Sequence, residues 1–243
     1  MRIFNFAKRN FKEIIRDPLS IVFSLLLPLF LLFVFQQINI PSENYELENF
    51  TPGIVVFGFS FITMFTATLV SKDRTSSLLI RLGISPMKSM EYIWGYMLSI
   101  IPLILVQNIL FFLLAFALGL KFNVGIIGAI LVSLIVSVLF ITVGIIIGSL
   151  CTEKASSGIS SIVVQLVCFT SGMYFPKELL GNGFARVCEY LPFESCVTVI
   201  KGIMNMDTSI ITNRNIVVLN IYLTIVFVLA VMIFNKKMLS DNK

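Results

Sequence analysis

The sequence predicts an all-α integral membrane protein with six transmembrane helices. Three observations lead to this prediction: 57% of the residues are hydrophobic, only 13% are charged, and the mean hydropathy is +0.97. Soluble globular domains are more polar than this, and no polar stretch of the chain is long enough to bury a core of its own. We therefore expect a single membrane domain that comprises residues 1–243.

Six apolar segments are long enough to cross a bilayer, whose core of about 30 Å requires roughly 20 residues of helix. The fifth segment is the weakest, because Ser, Gly and Gln165 dilute it. The first is of span length and ends in polar residues, which is not typical of a cleaved signal peptide. We expect spans at residues 19–38, 53–70, 93–118, 124–150, 157–174 and 216–234.

The basic residues predict the orientation of these spans. Thirteen of the 18 Lys and Arg residues lie in the N-terminal segment, the second and fourth loops and the C-terminal tail. The first loop, on the opposite side, carries Glu43, Glu46 and Glu48 and no basic residue. Because short basic loops remain in the cytosol, we expect both termini and the second loop to be cytosolic.

The N-terminal residues 1–17 have the pattern of an amphipathic helix. Apolar residues between positions 3 and 15 alternate at helical spacing with Lys, Arg and Glu, and Asp17-Pro18 ends the pattern. Such a helix typically lies in the plane of the membrane interface. We expect Phe4, Phe6 and Phe11 to enter the inner interface, with Arg16 among the bases of the polar face.

The second loop, residues 71–91, contains a basic amphipathic stretch. On a helix over residues 75–82, the side chains of Leu78, Leu79 and Leu82 share one face, and Arg74 and Arg81 share another. Gly83 and Pro86 would then end this helix. Two hypotheses fit the pattern: a helix that lies on anionic headgroups, or a helix that docks on a soluble partner.

Catalytic and metal-binding chemistry is not indicated. The chain has no His, its four Cys residues are scattered, and it has no Gly-Lys pair of the kind that a phosphate-binding loop requires. We therefore expect no catalytic, cofactor-binding or metal-binding residue in this chain. Cys188 and Cys196 could form a disulfide, although free thiols are the default expectation.

Polar residues inside the spans are candidates for a cargo path. They are Gln36, Thr66, Gln107, Asn108, Gln165 and Asn220. Residues of this kind also form hydrogen bonds between helices, and this second interpretation stays open for each of them. Gly144 and Gly148 form a G-x-x-x-G motif, which predicts close helix packing within the subunit.

Five stretches, taken in order, resemble a known family. They are "RDPLS" before "LLPLF", "DRTSSLLIRLGISPMKSMEYIWG", "SGMYFPKELL" and "EYLPFESCVTVIKGIM". Together they are similar to the ABC transporter type 2 (ABC-2) permeases, the membrane subunits of bacterial ATP-driven exporters. The resemblance extends over nearly the whole chain.

The resemblance implies that the helix of the second loop is a coupling helix, which inserts into a groove of an ATPase. The residues that match its pattern are Asp73, Arg74, Leu78, Leu79, Arg81, Leu82 and Pro86, although Thr75-Ser76-Ser77 stands where Gly-Thr is common. The resemblance also implies that the external segment 175–214 contains short re-entrant helices. Gly172, Pro176 and Pro192 interrupt the chain there in agreement.

The function implied by the resemblance is export of an apolar or amphipathic cargo, such as a drug, an antimicrobial peptide or a lipid. The expected partners are a second permease copy or a homologous permease, membrane lipid, and cytosolic ATPase subunits that hold ATP and Mg; no nucleic acid is expected. The expected location is the bacterial cytoplasmic membrane. The alternatives are an ion- or proton-coupled secondary transporter, which the uncharged span centres disfavour, and a non-transporting scaffold subunit.

Overall fold

The computed structural model describes residues 2–38, 40–76, 87–174 and 181–241, with the backbone alone at 19, 20, 182 and 238–241. Within these residues the chain forms nine α-helices and no strand, which confirms the all-α prediction. Two single turns of 3₁₀ helix, Glu43–Tyr45 and Thr208–Ile210, lie in the connecting segments. The α-helices are α1 (Arg2–Ile15), α2 (Pro18–Gln37), α3 (Leu47–Thr75), α4 (Ser89–Ala117), α5 (Gly125–Leu150), α6 (Glu153–Thr170), α7 (Gly181–Tyr190), α8 (Pro192–Met204) and α9 (Asn213–Asp241).

Four of these helices, α3, α4, α5 and α9, are long and apolar enough to cross a membrane. They occupy the second, third, fourth and sixth predicted spans. The helices α2 and α6 occupy the first and fifth predicted spans; they are not among these four, and α2 contains an apolar helical stretch over Ile21–Gln37. The chain is therefore a multi-pass membrane protein.

The helix α3 is longer at both ends than the predicted span 53–70. It begins at Leu47 and ends at Thr75, so the first residues of the expected second loop belong to this helix. The hydropathy of the sequence falls at Ser71, Asp73 and Arg74, but these polar side chains bond to neighbouring helices, and the helix continues through them. The remainder of the predicted helix over residues 75–82 lies, from Ser77 onward, outside the described residues.

The centre of the bundle is α3, which packs against α2, α4, α5, α6 and α8. Its most apolar window is 83% buried, whereas the corresponding window of α9 is only 11% buried. The helix α9 lies at the periphery against α4, α5 and α8. Its exposed residues are largely apolar, which suits contact with lipid chains: Ile216, Val217, Ile221, Ile225, Val228, Leu229 and Met232.

The most extensive helix contact joins α3 and α5 and contains the G-x-x-x-G motif. A Cβ atom on Gly144 would stand 2.6 Å from Thr66 Cβ, and one on Gly148 would stand 2.6 Å from the carbonyl oxygen of Ala67. Thr63 adds a hydrogen bond from its Oγ1 to the carbonyl oxygen of Phe140, at 3.0 Å. The two glycines therefore allow the backbones to approach within the subunit, as the motif predicts.

The first, third and fifth connections of the predicted topology lie at one end of the bundle. There the Tyr45 hydroxyl, between α2 and α3, donates to the carbonyl oxygen of Tyr174, after α6, at 2.7 Å. At the same end, Nδ2 of Asn205, after α8, approaches the carbonyl oxygen of Glu48 at 3.4 Å. We call this end of the bundle the loop end.

The N-terminal helix, the second and fourth connections and the C-terminal end of α9 lie at the opposite end. Ser71 of α3 and Ser156 of α6 share a hydrogen bond of 3.1 Å between their hydroxyls. Ser89 at the start of α4 donates to Asn235 near the end of α9, at 2.9 Å. We call this end the anchor end. Elements that the basic residues predict on one side of the membrane thus meet at one end.

The segment after α6 contains two short helices, α7 and α8, as expected for the external segment. Pro192 is the first residue of α8, a position where its missing N–H costs nothing. The helix α8 packs on α3, α5 and α9. Cys188 and Cys196 are both buried, and all four cysteines of the chain are described and free of disulfides.

The close contact between α3 and α5 gives a stability prediction. Gly144→Ala should lower the melting temperature of the purified protein, because the added methyl group forces α5 away from Thr66 at an overpacking cost of about 1–3 kcal/mol. Gly183→Ala on α7 is the matched control, since Gly183 is exposed and a Cβ there meets nothing within 4 Å. Its melting temperature should stay level or rise. Equal losses in the two variants would contradict the assigned contact.

Candidate functional site

The C-terminal turn of α3 is bonded to four other helices. Ser71, Asp73 and Arg74 reach partners on α6, on α1 and α4, and on α5, respectively. We call these three residues with their partners the α3 anchor. The chain leaves the anchor at Ser76 and enters residues 77–86, which lie outside the described part and which contain most of the predicted coupling residues. The anchor therefore holds the base of the second loop.

The centre of the α3 anchor is the carboxylate of Asp73, whose side chain is fully buried. Its Oδ1 accepts from Nη1 of Arg9 at 2.6 Å, and its Oδ2 accepts from the hydroxyl of Tyr96 at 2.9 Å. Both oxygens are thus satisfied, by donors from two different helices. Removing the partner of a buried charge typically lowers the stability of a protein by roughly 3–5 kcal/mol. The pairing therefore stabilises the joint position of α1, α3 and α4.

Arg9 is the hub of a wider polar cluster on α1. Its Nη1 also donates to Oδ1 of Asn10 at 2.7 Å, and its Nη2 pairs with Glu13 at 2.5 Å. Glu13 in turn pairs with Lys72 of α3 at 3.2 Å. The pairs outside the buried carboxylate are partly exposed and each contributes little. They nevertheless orient the guanidinium group toward Asp73.

Aromatic packing places α1 beside α4. The ring of Phe6 makes edge-to-face contacts with Tyr92 and Tyr96, with centroid distances of 5.3 and 5.0 Å. Gly95 lies between them, and any Cβ at that position would clash with the ring of Phe6. The absent side chain of Gly95 therefore creates the seat for Phe6. This contact brings Arg9, one turn further along α1, within reach of Asp73.

Arg74 connects the anchor to α5. Its Nη1 donates to the carbonyl oxygen of Ser149, in the last turn of α5. The last carbonyls of a helix have no intrahelical partner and carry partial negative charge, so a guanidinium group is favourable there. The anchor thus involves α1, α3, α4, α5 and α6 in one connected set of contacts.

The predicted coupling residues fall into two groups. Asp73 and Arg74 belong to the α3 anchor, where they bond inside the subunit. The other five, Leu78, Leu79, Arg81, Leu82 and Pro86, lie outside the described residues. The docking of the second loop on a partner therefore stays a prediction, and the structure supplies the base from which that loop begins.

The residues predicted for the interfacial helix also divide. Phe6 is buried against α4, whereas Phe4 is 72% exposed and Phe11 is half-buried. Arg16 is exposed. Because Phe6 packs on protein rather than on lipid, Phe4 and the exposed part of Phe11 are the two of these three phenylalanines that are available to enter a membrane interface. The interfacial position of α1 itself stays a prediction.

Most candidates for the cargo path bond within the bundle. Asn108 donates to the hydroxyl of Ser133 at 2.8 Å, and Gln36 donates to the carbonyl oxygen of Tyr45 at 2.7 Å. The Thr66 hydroxyl and the Gln107 amide are likewise buried and donate to backbone carbonyls. Only two of the six candidates, Gln165 on α6 and Asn220 on α9, are exposed. Asn220 donates to the carbonyl of Ile216 in its own helix.

Sequence reasoning missed Arg9, Gly95 and Tyr96. In the sequence, Arg9 is one of several bases on an amphipathic helix, and nothing in its spacing distinguishes it. A signal was present at Asn10, a polar residue on the same helical face as Phe6 and Ile14, which are both buried. A face of this kind indicates packing against protein rather than insertion into lipid.

The buried pair gives a test of the anchor. Arg9→Met leaves the Asp73 carboxylate buried without its cation and should destabilise the purified protein by roughly 3 kcal/mol. Adding Asp73→Asn removes the buried charge, so the double variant should melt above the single Arg9→Met variant. Lys12→Met, on the exposed face of α1, is the control and should have little effect. If the stability lost by the double variant equals the sum of the losses caused by Arg9→Met alone and Asp73→Asn alone, the pairing is excluded.

One family model matches most of the chain. A family model described as ABC-2 type transporter matches residues 1–205 of the 243. A search of curated proteins found no match. The matched region contains every residue of the α3 anchor and extends through α8. The chain therefore belongs to the ABC-2 type transporter family, as a membrane component with permease architecture.

Proposed function

We propose that this chain is the permease subunit of an ATP-driven exporter that moves an apolar or amphipathic cargo out of the cell. The observation that carries the proposal is the α3 anchor, which holds the base of residues 77–86 in a chain of the ABC-2 type transporter family. A loop that transmits movement needs a rigid base. Here the base is bonded to α1, α4, α5 and α6.

The proposed permease crosses the membrane six times. The helix α2 follows α1 at the anchor end and leads to Gln36, whose amide bonds to Tyr45 at the loop end. The helix α6 starts near Ser156 at the anchor end and leads to Tyr174 at the loop end. Both helices thus connect the two ends, like the four longer helices, which supports counting them as spans.

We assign the anchor end to the cytosol of a bacterial cell. The connections at this end carry most of the Lys and Arg residues of the chain, and short basic loops are retained in the cytosol. The N-terminal helix α1, also basic, lies at the same end through its contact with Asp73. This orientation presents residues 77–86 to a cytosolic ATPase, which would hold ATP and Mg.

A second permease copy is the proposed membrane partner, and α6 presents a surface for it. Gly158, Ser161 and Gln165 are exposed along one face of this apolar helix. A primary amide that faces hydrocarbon lacks hydrogen-bond partners, which is unfavourable. The amide of Gln165 has both a donor and an acceptor, so it can pair with the same residue of a second copy or face a hydrated cargo path between the copies.

In the proposed mechanism, residues 78–82 follow the movement of the ATPase. The displacement reaches Asp73 and Arg74, which are bonded to α1, α4 and α5, and these helices move with the loop base. The buried carboxylate makes this joint stiff because separating its partners would expose an unpaired charge. The helices around α3 then change the opening between the two permease copies.

Coupling is tested by the leucine face of the second loop. Leu79→Ala with Leu82→Ala should weaken co-purification with a candidate ATPase more than tenfold, since truncation removes about 2 kcal/mol or more of apolar burial. Arg81→Glu is the comparison, because a helix that only lies on anionic lipid would lose membrane affinity and leave ATPase binding intact. Normal ATPase binding and ATP-driven export by the double alanine variant would refute the coupling role.

Orientation is tested by labelling single cysteines in a Cys-free chain. Probes at Ser42 and Asn182 should react with an impermeant thiol reagent from outside the cell, and probes at Ser76 and Ser240 only after the membrane is opened. Native Cys196 is fully buried, which raises the pKa of its thiol and disfavours the reactive thiolate. It should be replaced with Ala, which leaves no buried hydroxyl. External labelling at Ser76 would exclude the proposed orientation.

A further inference from the structure

The helix α2 contains a proline, Pro28, in its middle. Proline has no N–H, so the carbonyl four residues earlier receives no helical hydrogen bond. In α2 this is the carbonyl of Ser24, a residue that is only 2% exposed. No water is available to such a group in the apolar interior, so the carbonyl needs a donor from elsewhere in the protein.

Gln107 of α4 supplies this donor. Its Nε2 lies 3.1 Å from the carbonyl oxygen of Ser24, and the side chain is fully buried. Gly58 of α3 provides the space, because a Cβ at that position would stand 2.5 Å from the same Nε2 atom. One amide group therefore joins α2 and α4 at the point where α3 has no side chain.

The amide of Gln107 is otherwise unfavourably placed. Its Oε1 is buried and has no hydrogen-bond partner among the described residues. An unsatisfied buried acceptor opposes folding, and an apolar side chain of similar volume would fill the same space without that cost. The donor atom, and its bond to the carbonyl of Ser24, is thus the feature that accounts for an amide at this position.

The same arrangement occurs a second time in the chain. Pro52 in α3 frees the carbonyl of Glu48, and Nδ2 of Asn205 approaches that oxygen at 3.4 Å. Asn205 follows α8 and is distant from α3 in sequence. Two carbonyls freed by prolines are therefore each met by a side-chain amide from another element.

We infer that Gln107 is a positioning residue that replaces the hydrogen bond removed by Pro28 and holds the following half of α2 against α4. Helices bend where proline interrupts the bonding, so residues 24–28 form a hinge. The half of α2 after this hinge borders an apolar groove of about 900 Å³ between α2 and α4. The groove is lined beyond the hinge by Leu29, Phe30, Phe33, Leu110, Leu113 and Leu114.

Release of the Gln107 bond would free this half of α2 to swing about the hinge and change the width of the groove. The claim that this movement accompanies transport rests on the exporter function proposed above. The replacement of a backbone bond by the Gln107 amide does not rest on it. The two claims are therefore tested by separate measurements.

A double-mutant cycle on the purified chain tests the replacement. With Pro28 present, Gln107→Met leaves the Ser24 carbonyl without a donor. With Pro28→Ala, the new N–H satisfies that carbonyl, so Gln107→Met only removes a buried amide that has lost its acceptor. We expect the change in melting temperature caused by Gln107→Met to be less favourable with Pro28 than with Ala at position 28, by about 4 °C.

Pro102 provides the matched control, since it interrupts α4 and frees a different carbonyl, that of Leu98. Pro102→Ala should leave the effect of Gln107→Met unchanged. Equal effects of Gln107→Met with Pro28 and with Pro28→Ala would overturn the inference. So would a Pro102→Ala change that suppresses the effect as well as Pro28→Ala does.

A distance measurement separates hinge movement from general loss of stability. Spin labels on cysteines at Gln37 and Ala117, both exposed at the loop end, should show a broader distance distribution in Gln107→Met and recover in the double variant with Pro28→Ala. A label pair at Val22 and Met90, on the other side of the hinge, should not change. Unchanged distances between Gln37 and Ala117 would exclude the hinge. If no candidate ATPase binds the chain, the exporter function is refuted. The distances between the labels at Gln37 and Ala117 would still test the hinge.

Discussion

The carboxylate of Asp73 is the constraint on which the anchor end of the molecule depends. A buried charge is tolerated in an apolar interior only when it is paired, and here Arg9 and Tyr96 supply the two donors. Because they belong to α1 and α4, neither helix can move away from α3 independently. The bond from Arg74 to the end of α5 is reachable only while the last turn of α3 keeps this position.

Three polar side chains, those of Arg74, Gln107 and Asn205, donate to backbone carbonyls that lack a helical partner. Arg74 donates at the end of α5, and Gln107 and Asn205 donate where prolines interrupt α2 and α3. Such carbonyls are strong acceptors in an apolar interior. A polar residue in a span therefore does not by itself indicate a cargo path, and exposure distinguishes Gln165 and Asn220 from the other four candidates.

The helical fold could be predicted because apolar runs of span length leave few alternatives to a helix. The ends of the helices could not, since hydropathy falls at Asp73 while the helix continues through paired polar groups. The anchor could be predicted in part. The family resemblance indicated Asp73 and Arg74, but their partners are distant in sequence. Nothing local distinguishes Arg9 from the other bases of α1, or links Gln107 to Pro28.

The order in which the partners of α1 are synthesised has a consequence for biogenesis. Arg9 leaves the ribosome early, but Tyr96 follows 87 residues later in the sequence. At about 5–20 residues per second, this interval is roughly 4–17 s. During that time α1 lacks its aromatic seat, and it also lacks its carboxylate until Asp73 follows, 64 residues after Arg9. Its final place is therefore settled only after the third span has entered the membrane, and an insertion factor or the lipid surface must accommodate it until then.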